Sequence, residues 1–160
     1  MNSISIEQKI SINSNKLDSN ITGHIAEKLL ELKNKCDHNY GYIIDIDTKK
    51  INILDNVISN SEPNIFFTVK FRAQVFKPKI EDNYEGIVCI LFPHGILVDV
   101  MNRIKVLIPS NKMKGYAFNS GIFCKGDKRI KKDDNIIVKI NMIKYEKQNF
   151  NCIGELYEEN

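Results

Sequence analysis

The sequence predicts two small domains, an α+β domain over residues 1–79 and an all-β barrel of the OB type over residues 80–160. Three observations predict this fold class. A single amphipathic helical stripe occurs in the first half, apolar and polar residues alternate before and after it, and the second half contains only strand-like segments. The composition, with 42% apolar and 27% charged residues, is that of a globular protein.

The first domain is predicted to contain four strands. Isoleucines alternate with polar residues over Met1–Ile12, and the clearest alternation of the chain covers Ile65–Phe76. Two further strands are predicted at Tyr42–Asp47 and Lys50–Ile58, joined by a turn at residues 47–49. Together these strands predict a small antiparallel sheet.

One helix is predicted to pack on this sheet. A polar cap at residues 18–20 begins it, and the helix is expected to end near residues 37–41. Its apolar stripe has spacings of four, four, three and four residues, as one helix face requires. The stripe consists of Ile21, Ile25, Leu29, Leu32 and Cys36.

The second domain is predicted to contain five strands after a polar boundary at residues 77–83. A long basic connection, Ser110–Asp134, separates the third strand from the fourth, and this arrangement is typical of a small OB barrel. The predicted strands are Tyr84–Phe92, Gly95–Val100, Arg103–Ile108, Asn135–Tyr145 and Asn149–Leu156.

The chain carries no catalytic or metal-binding motif that we recognise. P-loop, G-x-G-x-x-G, G-x-S-x-G and H-E-x-x-H patterns are missing. The four cysteines are too widely spaced for a zinc site and are predicted to be reduced thiols, so no cofactor is expected. Asp45 and Asp47 are interpreted as solvated carboxylates on one strand face. We therefore predict a protein without catalytic activity.

The chain is expected to remain inside the cell. No run of about 18 apolar residues that could span a membrane occurs, and the first residues are unlike a signal peptide. The net charge of +3, from 23 basic and 20 acidic residues, is too small to indicate nucleic-acid binding by itself.

A local nucleic-acid signal does occur in the third barrel strand and the long connection. Nine cations lie there, interleaved with Tyr116, Phe118 and Phe123. Cations that follow phosphates, together with aromatic rings that stack on bases, are typical of proteins that bind single-stranded nucleic acid. The residues alone leave the alternative open that the phenylalanines are core and the lysines only solvate a loop. The candidate RNA-binding residues are His94, Arg103, Lys105, Lys112, Lys114 and Tyr116.

Two polar loops of the first domain, residues 13–20 and 56–64, are candidates for docking onto another protein. Both would lie at one end of the sheet. The alternative is that they are only solvated turns. The candidate docking residues are Asn13, Asn15, Asn56, Ser59, Asn60 and Pro63.

The segment Val69–Pro78, VKFRAQVFKP, resembles the signature strand of a known family. Further pieces in the matching order are Gly41–Ile44, Gly86–Val88, Gly95–Val98, Lys132–Ile136 and Ile153–Leu156. By these pieces the chain resembles the larger stalk subunit of multisubunit DNA-directed RNA polymerases. That family comprises the seventh subunit of RNA polymerase II, its archaeal counterpart and relatives in large DNA viruses.

The resemblance implies a non-catalytic subunit. It implies a tip domain that docks on the polymerase core and supports initiation, a barrel that contacts nascent single-stranded RNA, and a heterodimer with the smaller stalk subunit. The location would be the nucleus in a eukaryote, or the cytoplasm or virion for an archaeal or viral member. His94 and Leu97 stand where related barrels often carry aromatic residues, which predicts weak RNA contact dominated by phosphates. The alternative is a free-standing OB module that binds single-stranded RNA in translation or RNA decay.

Overall fold

The computed structural model describes residues 2–58 and 63–158. The chain forms two compact units, Met1–Lys77 and Pro78–Asn160. An α+β unit is followed by a unit with a closed five-stranded barrel, so the predicted fold class is confirmed. Among the residues described, no helix combines the length and the apolar character that a membrane crossing would need.

The first unit is a four-stranded antiparallel sheet in the order β1-β4-β3-β2, with one helix packed on it. The alternation of apolar and polar residues predicted for the first and last strands of this domain is confirmed. Ile6 of the first strand lies opposite Phe71 of the last, and both side chains are buried. The helix contributes Ile25 and Leu29 to the same core. Its elements are β1 (Asn2–Asn13), a 3-10 turn (Ser14–Lys16), α1 (Ile21–Leu30), β2 (Cys36–Asp37), β3 (Gly41–Ile58) and β4 (Asn64–Phe76).

The helix ends earlier than the sequence predicted. α1 stops at Leu30, and Cys36, which we expected on its apolar stripe, instead lies in β2. Asn34 adopts a left-handed φ of 73°, a conformation that asparagine tolerates better than most residues. Its backbone N–H donates to the carbonyl oxygen of Ile43 at 2.8 Å. Pairing with β3 therefore takes the backbone group that a longer helix would have used.

The turn predicted at residues 47–49 is also wrong. β3 continues through this segment and pairs with β4 on both sides of it. From Asp47 to Asn52 there are five steps along β3, whereas their partners Arg72 and Lys70 are only two steps apart on β4. The polar residues are thus absorbed in a bulge of the kind that interrupts a ladder without ending it.

The second unit is a closed barrel in the order β11-β12-β7-β6-β5, in which only the β12–β7 pair is parallel. β11 pairs with β5 and closes it. The connection that the sequence left without structure contains a separate antiparallel sheet of β8, β9 and β10. The elements are β5 (Asn83–Phe92), β6 (Gly95–Val100), β7 (Ile104–Pro109), a 3-10 helix (Ser110–Lys112), β8 (Ala117–Asn119), β9 (Ile122–Lys125), β10 (Lys128–Ile130), β11 (Asn135–Glu146) and β12 (Asn149–Leu156).

Candidate RNA-binding and partner surfaces

Three of the predicted RNA-binding residues lie around one end of the barrel. His94 is exposed in the turn between β5 and β6, and its carbonyl oxygen accepts a hydrogen bond from the N–H of Ser110 at 2.7 Å. This bond holds the 3-10 helix after β7 beside the turn. Met113, only 1% exposed, anchors the residues that follow. Lys112 and Lys114 flank this anchor and both side chains are exposed.

Arg103 and Lys105 lie at the opposite end of the β6–β7 hairpin. The Lys105 ammonium is 3.2 Å from the carboxylate of Asp99, its cross-strand neighbour on β6. Arg103 lines a groove of about 440 Å³ together with Lys105 and Lys147, which stands in the β11–β12 turn. The six predicted residues are therefore not gathered into one site.

Tyr116 is held by an acidic residue near the end of the chain. Its hydroxyl donates to a carboxylate oxygen of Glu158, and the Lys125 ammonium lies 5.6 Å from its ring centroid. Burial, and then this hydrogen bond, raise the pKa of Tyr116 to about 12. Phe123 is 1% exposed and packs against Phe118 with ring centroids 5.2 Å apart. Phe123 is thus a core residue and is not available to stack on a base.

Sequence reasoning missed the role of Glu158. Its Oε2 atom lies 3.7 Å from the Lys125 ammonium and 3.8 Å from that of Lys128, while Oε1 accepts the Tyr116 hydroxyl. The lysines belonged to the basic run that the sequence displayed. No local spacing relates them to an acid about 30 residues later, so only the folded arrangement reveals the contact.

The outer face of the barrel carries a row of five apolar side chains, which we call the apolar row. Each member lies opposite the next on neighbouring strands, across β5, β6, β7, β12 and β11. In this order they are Ile90, Leu97, Leu107, Ile153 and Met142. Ile90, Ile153 and Met142 are 53%, 36% and 61% exposed. The sequence did contain a sign of this row, because β6 and β7 are nearly continuously apolar. Strands with one face in solvent would instead alternate apolar with polar residues.

The two polar loops of the first unit meet at one end of its sheet. Asn13 lies opposite Asn64, and the N–H of Ser14 donates to the carbonyl oxygen of Pro63 at 2.8 Å. The Asn13 side chain accepts the N–H of Asn15 at 3.1 Å and so shapes the turn. Asn13, Asn15 and Pro63 are therefore neighbours, as a docking tip would require.

The remaining docking candidates belong to the end of β3. Asn56 is exposed and lies opposite Phe67 of β4, whereas Ser59 and Asn60 lie outside the described residues. Within the described part of the chain, β3 pairs with β2 only at residues 41–42, so its distal half is an edge strand. This edge also exposes apolar side chains that the sequence analysis did not select: Ile53, Leu54, Val57 and Ile58.

A polar pocket of about 330 Å³ lies near the same end of the sheet, between β1 and α1. The His24 ring, which lines it, is 3.3 Å from the carboxylate of Asp18. The Asp18 carboxylate accepts a hydrogen bond from the backbone N–H of Asn20 at 2.8 Å. This bond is the main reason why the pKa of Asp18 is lowered, and the contact with His24 lowers it further. The carboxylate therefore keeps its charge at this end of the sheet at neutral pH.

The described residues offer little to a metal ion or to covalent chemistry. Within residues 2–58 and 63–158, no group of three or more His, Cys, Asp or Glu side chains is placed to hold a metal. None of the four cysteines forms a disulfide in the part of the chain that the structure describes. Burial raises the pKa of Cys36 and of Cys152 to about 11, so both remain protonated and weakly nucleophilic at neutral pH.

No protein-family model matches the chain. Among solved structures, RNase R of Mycoplasma genitalium aligns with 49% of this chain and 13% of its own (TM-score 0.41, 18% identity). An uncharacterized protein of Methanocaldococcus jannaschii aligns with 53% of this chain and 100% of its own (TM-score 0.41, 14% identity). In sequence, the chain is 33% identical over 101 residues to the DNA-directed RNA polymerase II subunit RPB7 of Saccharomyces cerevisiae. The match covers 61% of this chain and 58% of that subunit, so over this part the chain is similar to a subunit of a DNA-directed RNA polymerase.

Proposed function

We propose that this chain is the larger stalk subunit of a multisubunit DNA-directed RNA polymerase and has no catalytic activity of its own. The observation that carries the proposal is the 33% identity over 101 residues to the RNA polymerase II subunit. The order of an α+β unit and an OB-type barrel is what the family resemblance implies. The work of the subunit would be to anchor the stalk, to support initiation and to contact nascent RNA.

The apolar row is the surface that we assign to the smaller stalk subunit. Five apolar side chains in register on the outer face of a barrel form a contiguous patch, and such patches mark interaction sites in soluble proteins. A permanent heterodimer is the partner that suits this surface, because its interface is more apolar than that of a transient contact. Expressed alone, the chain is therefore expected to tend to aggregate as its concentration is raised, and to stay dispersed in dilute solution.

The tip of the first unit is the part that we assign to the polymerase core. Asn13, Asn15 and Pro63 gather at one end of the sheet, and the exposed end of β3 lies alongside. An edge strand has unpaired backbone groups that can extend a partner's sheet. The exposed Ile58 and Leu54 would add apolar burial to such backbone pairing.

RNA contact is assigned to the barrel as a weak, phosphate-dominated interaction. Lys112 and Lys114 at one end supply exposed cations, whereas the Lys105 ammonium at the other end already pairs with Asp99. The buried position of Phe123 leaves base stacking to His94 and the partly buried Tyr116. Such an interface tolerates many sequences and weakens steeply as salt increases.

A tagged pull-down from the native source at moderate salt tests the proposal. Co-purification of large polymerase subunits and one small subunit in stoichiometric amounts is the expected result. Recovery of a monomer with only RNA and ribosomal material would refute the stalk assignment. The alternative of a free-standing RNA-binding module would then replace it.

A further inference from the structure

The β9–β10 hairpin places two lysines directly opposite each other. Lys125 and Lys128 are register partners, and like charges in this position repel. The carboxylate of Glu158 lies against both, with its Oε2 atom 3.7 Å from one ammonium and 3.8 Å from the other. An anion between the two lysines thus relieves a repulsion that the hairpin itself creates.

A third donor completes the arrangement. The hydroxyl of Tyr116 donates to the other oxygen of the Glu158 carboxylate, and Lys125 also lies over the face of the Tyr116 ring. We call Tyr116, Lys125 and Lys128 the anion cradle. Two ammonium groups and one hydroxyl that converge on a pair of oxygens can hold a phosphate as well as a carboxylate.

We propose that the anion cradle is a binding site for a backbone phosphate of single-stranded RNA, and that Glu158 occupies it in cis as a competing anion. The inference rests on the RNA contact proposed above and adds a new site and its regulation. RNA binding would require Glu158 to leave, so this carboxylate would weaken the affinity of the barrel for RNA.

The surroundings of the cradle favour a nucleotide over an isolated phosphate. A cleft of about 580 Å³ adjoins it, within the size range of small-molecule sites. The cation Arg129 and the apolar side chains of Ile136 and Leu156 line the cleft, together with the carboxylates of Glu85 and Asp134. A sugar and base could lie on the apolar part, while the bound phosphate stays at the lysines of the cradle. Lys131 and Lys132, which follow directly after β10, are exposed and continue the basic run along the chain.

Glu158 is held weakly enough to be displaced. The side chains of Lys125 and Lys128 are 43% and 63% exposed and that of Glu158 is 30% exposed, so solvent reaches both ion pairs and screens them. Glu158 also lies beyond Leu156, the last residue of β12, so it can leave the cradle without breaking a barrel strand. An RNA strand, which presents several phosphates at once, can therefore compete with this single carboxylate.

The test compares Glu158→Gln with Asp45→Asn, a matched control that removes a carboxylate 3.7 Å from the Lys33 ammonium in the first unit. Both variants change the net charge by the same amount. Binding of a labelled single-stranded oligoribonucleotide is measured by fluorescence anisotropy over a series of salt concentrations. Glu158→Gln is expected to bind about three- to tenfold more tightly than the control, because the carboxylate no longer competes. The slope of the logarithm of its binding constant against the logarithm of salt concentration should become more negative by up to about 1.4, because two more lysines become available to phosphates.

Two further variants strengthen the test. Glu158→Asp keeps the net charge but shortens the side chain, so a gain in RNA affinity cannot be attributed to charge alone. Glu158→Gln combined with Lys125→Gln and Lys128→Gln is expected to lose the gain. A cooperative melting transition shows that Glu158→Gln is folded. A downward shift of the tyrosinate titration that lies at a pKa of about 12 in the unmodified chain then shows that the contact to Tyr116 is broken.

The outcomes separate this inference from the proposed function. Equal affinity and equal salt dependence for Glu158→Gln and Asp45→Asn would overturn the cradle, while RNA binding by the unmodified chain would keep the RNA contact intact. If Glu158→Gln gained affinity for polyglutamate but not for RNA, the cradle would be a site for acidic protein segments. That result would also overturn the proposed RNA site. If no variant binds RNA even at low salt, the RNA contact itself fails.

Discussion

The apolar row is expected to be buried by the smaller stalk subunit, and the exposed fractions of its members set the size of the effect. Ile90, Ile153 and Met142 are 53%, 36% and 61% exposed, which together is about one and a half fully exposed side chains. Burying one such side chain contributes about 1.5–3 kcal/mol, so the three contribute ~2–4 kcal/mol to binding. Replacing all three by serine should therefore weaken the heterodimer by at least about 30-fold.

Isothermal titration calorimetry of the purified partner into each variant measures this loss. Ile137→Ser is the matched control, because Ile137 is also exposed on the outer face of β11 but lies opposite Glu85, outside the row. The triple variant should also show a smaller negative heat-capacity change on binding, since less apolar surface is buried. A folded triple variant that binds within threefold of the unmodified chain would refute the assignment of the row to this partner.

Three further predictions concern the fold, the pH dependence and the tip. In Gly41→Ala, the new Cβ would lie 2.2 Å from the carbonyl oxygen of Phe76 at a φ of +87°, so thermal denaturation should show a loss of roughly 2–5 kcal/mol. Gly121→Ala, at a φ of +84° with no atom within 4 Å, should cost only about 1–2 kcal/mol, and equal losses would contradict this reasoning. Because the folded-state pKa of Tyr116 is raised from 10.0 to about 12, its contribution to stability is complete below pH 10 and is lost as the pH rises towards 12. Glu158→Gln should shift this loss to lower pH in melting experiments, and an unchanged profile would argue against the contact. Leu54→Lys with Ile58→Lys should reduce reconstitution with a polymerase that lacks its stalk, without lowering the melting temperature. Normal reconstitution would exclude this edge of β3 from docking.

The elements that were predicted correctly from the sequence are strands with one buried face, because burial of that face fixes the register of the strand. β4 was predicted along its whole length because a shift by one residue would expose every apolar side chain of that strand. The hairpin of β11 and β12 was predicted for a similar reason, and its turn residues Lys147 and Gln148 both adopt positive φ, as a tight hairpin requires. The helix end was not predictable, because it depends on the bond from Asn34 to Ile43, which is a tertiary contact.

The candidate sites were less predictable than the fold, because nearness in the sequence was taken for nearness in space. His94 and Arg103 are nine residues apart, but they lie at opposite ends of β6, which at six residues spans about 20 Å. Counting cations also overlooks the acids that pair with them in the folded chain. The RNA affinity of the barrel thus depends on which carboxylates an RNA phosphate must displace.

Because paired lysines must first be released from their carboxylates, the unmodified chain should show a defined decrease of RNA affinity with salt concentration. Lys105 pairs with Asp99, and Lys125 and Lys128 share Glu158, whereas no ion pair within residues 2–58 and 63–158 involves Lys112 or Lys114. If these two lysines make the first phosphate contacts, the slope of the logarithm of the binding constant against the logarithm of salt concentration should be about −1.4 for a single strand. The further steepening expected in Glu158→Gln is then the contribution of the anion cradle alone. The basic run of the long connection would thus act in two steps, with Lys112 and Lys114 engaging RNA first and the cradle joining only when Glu158 withdraws.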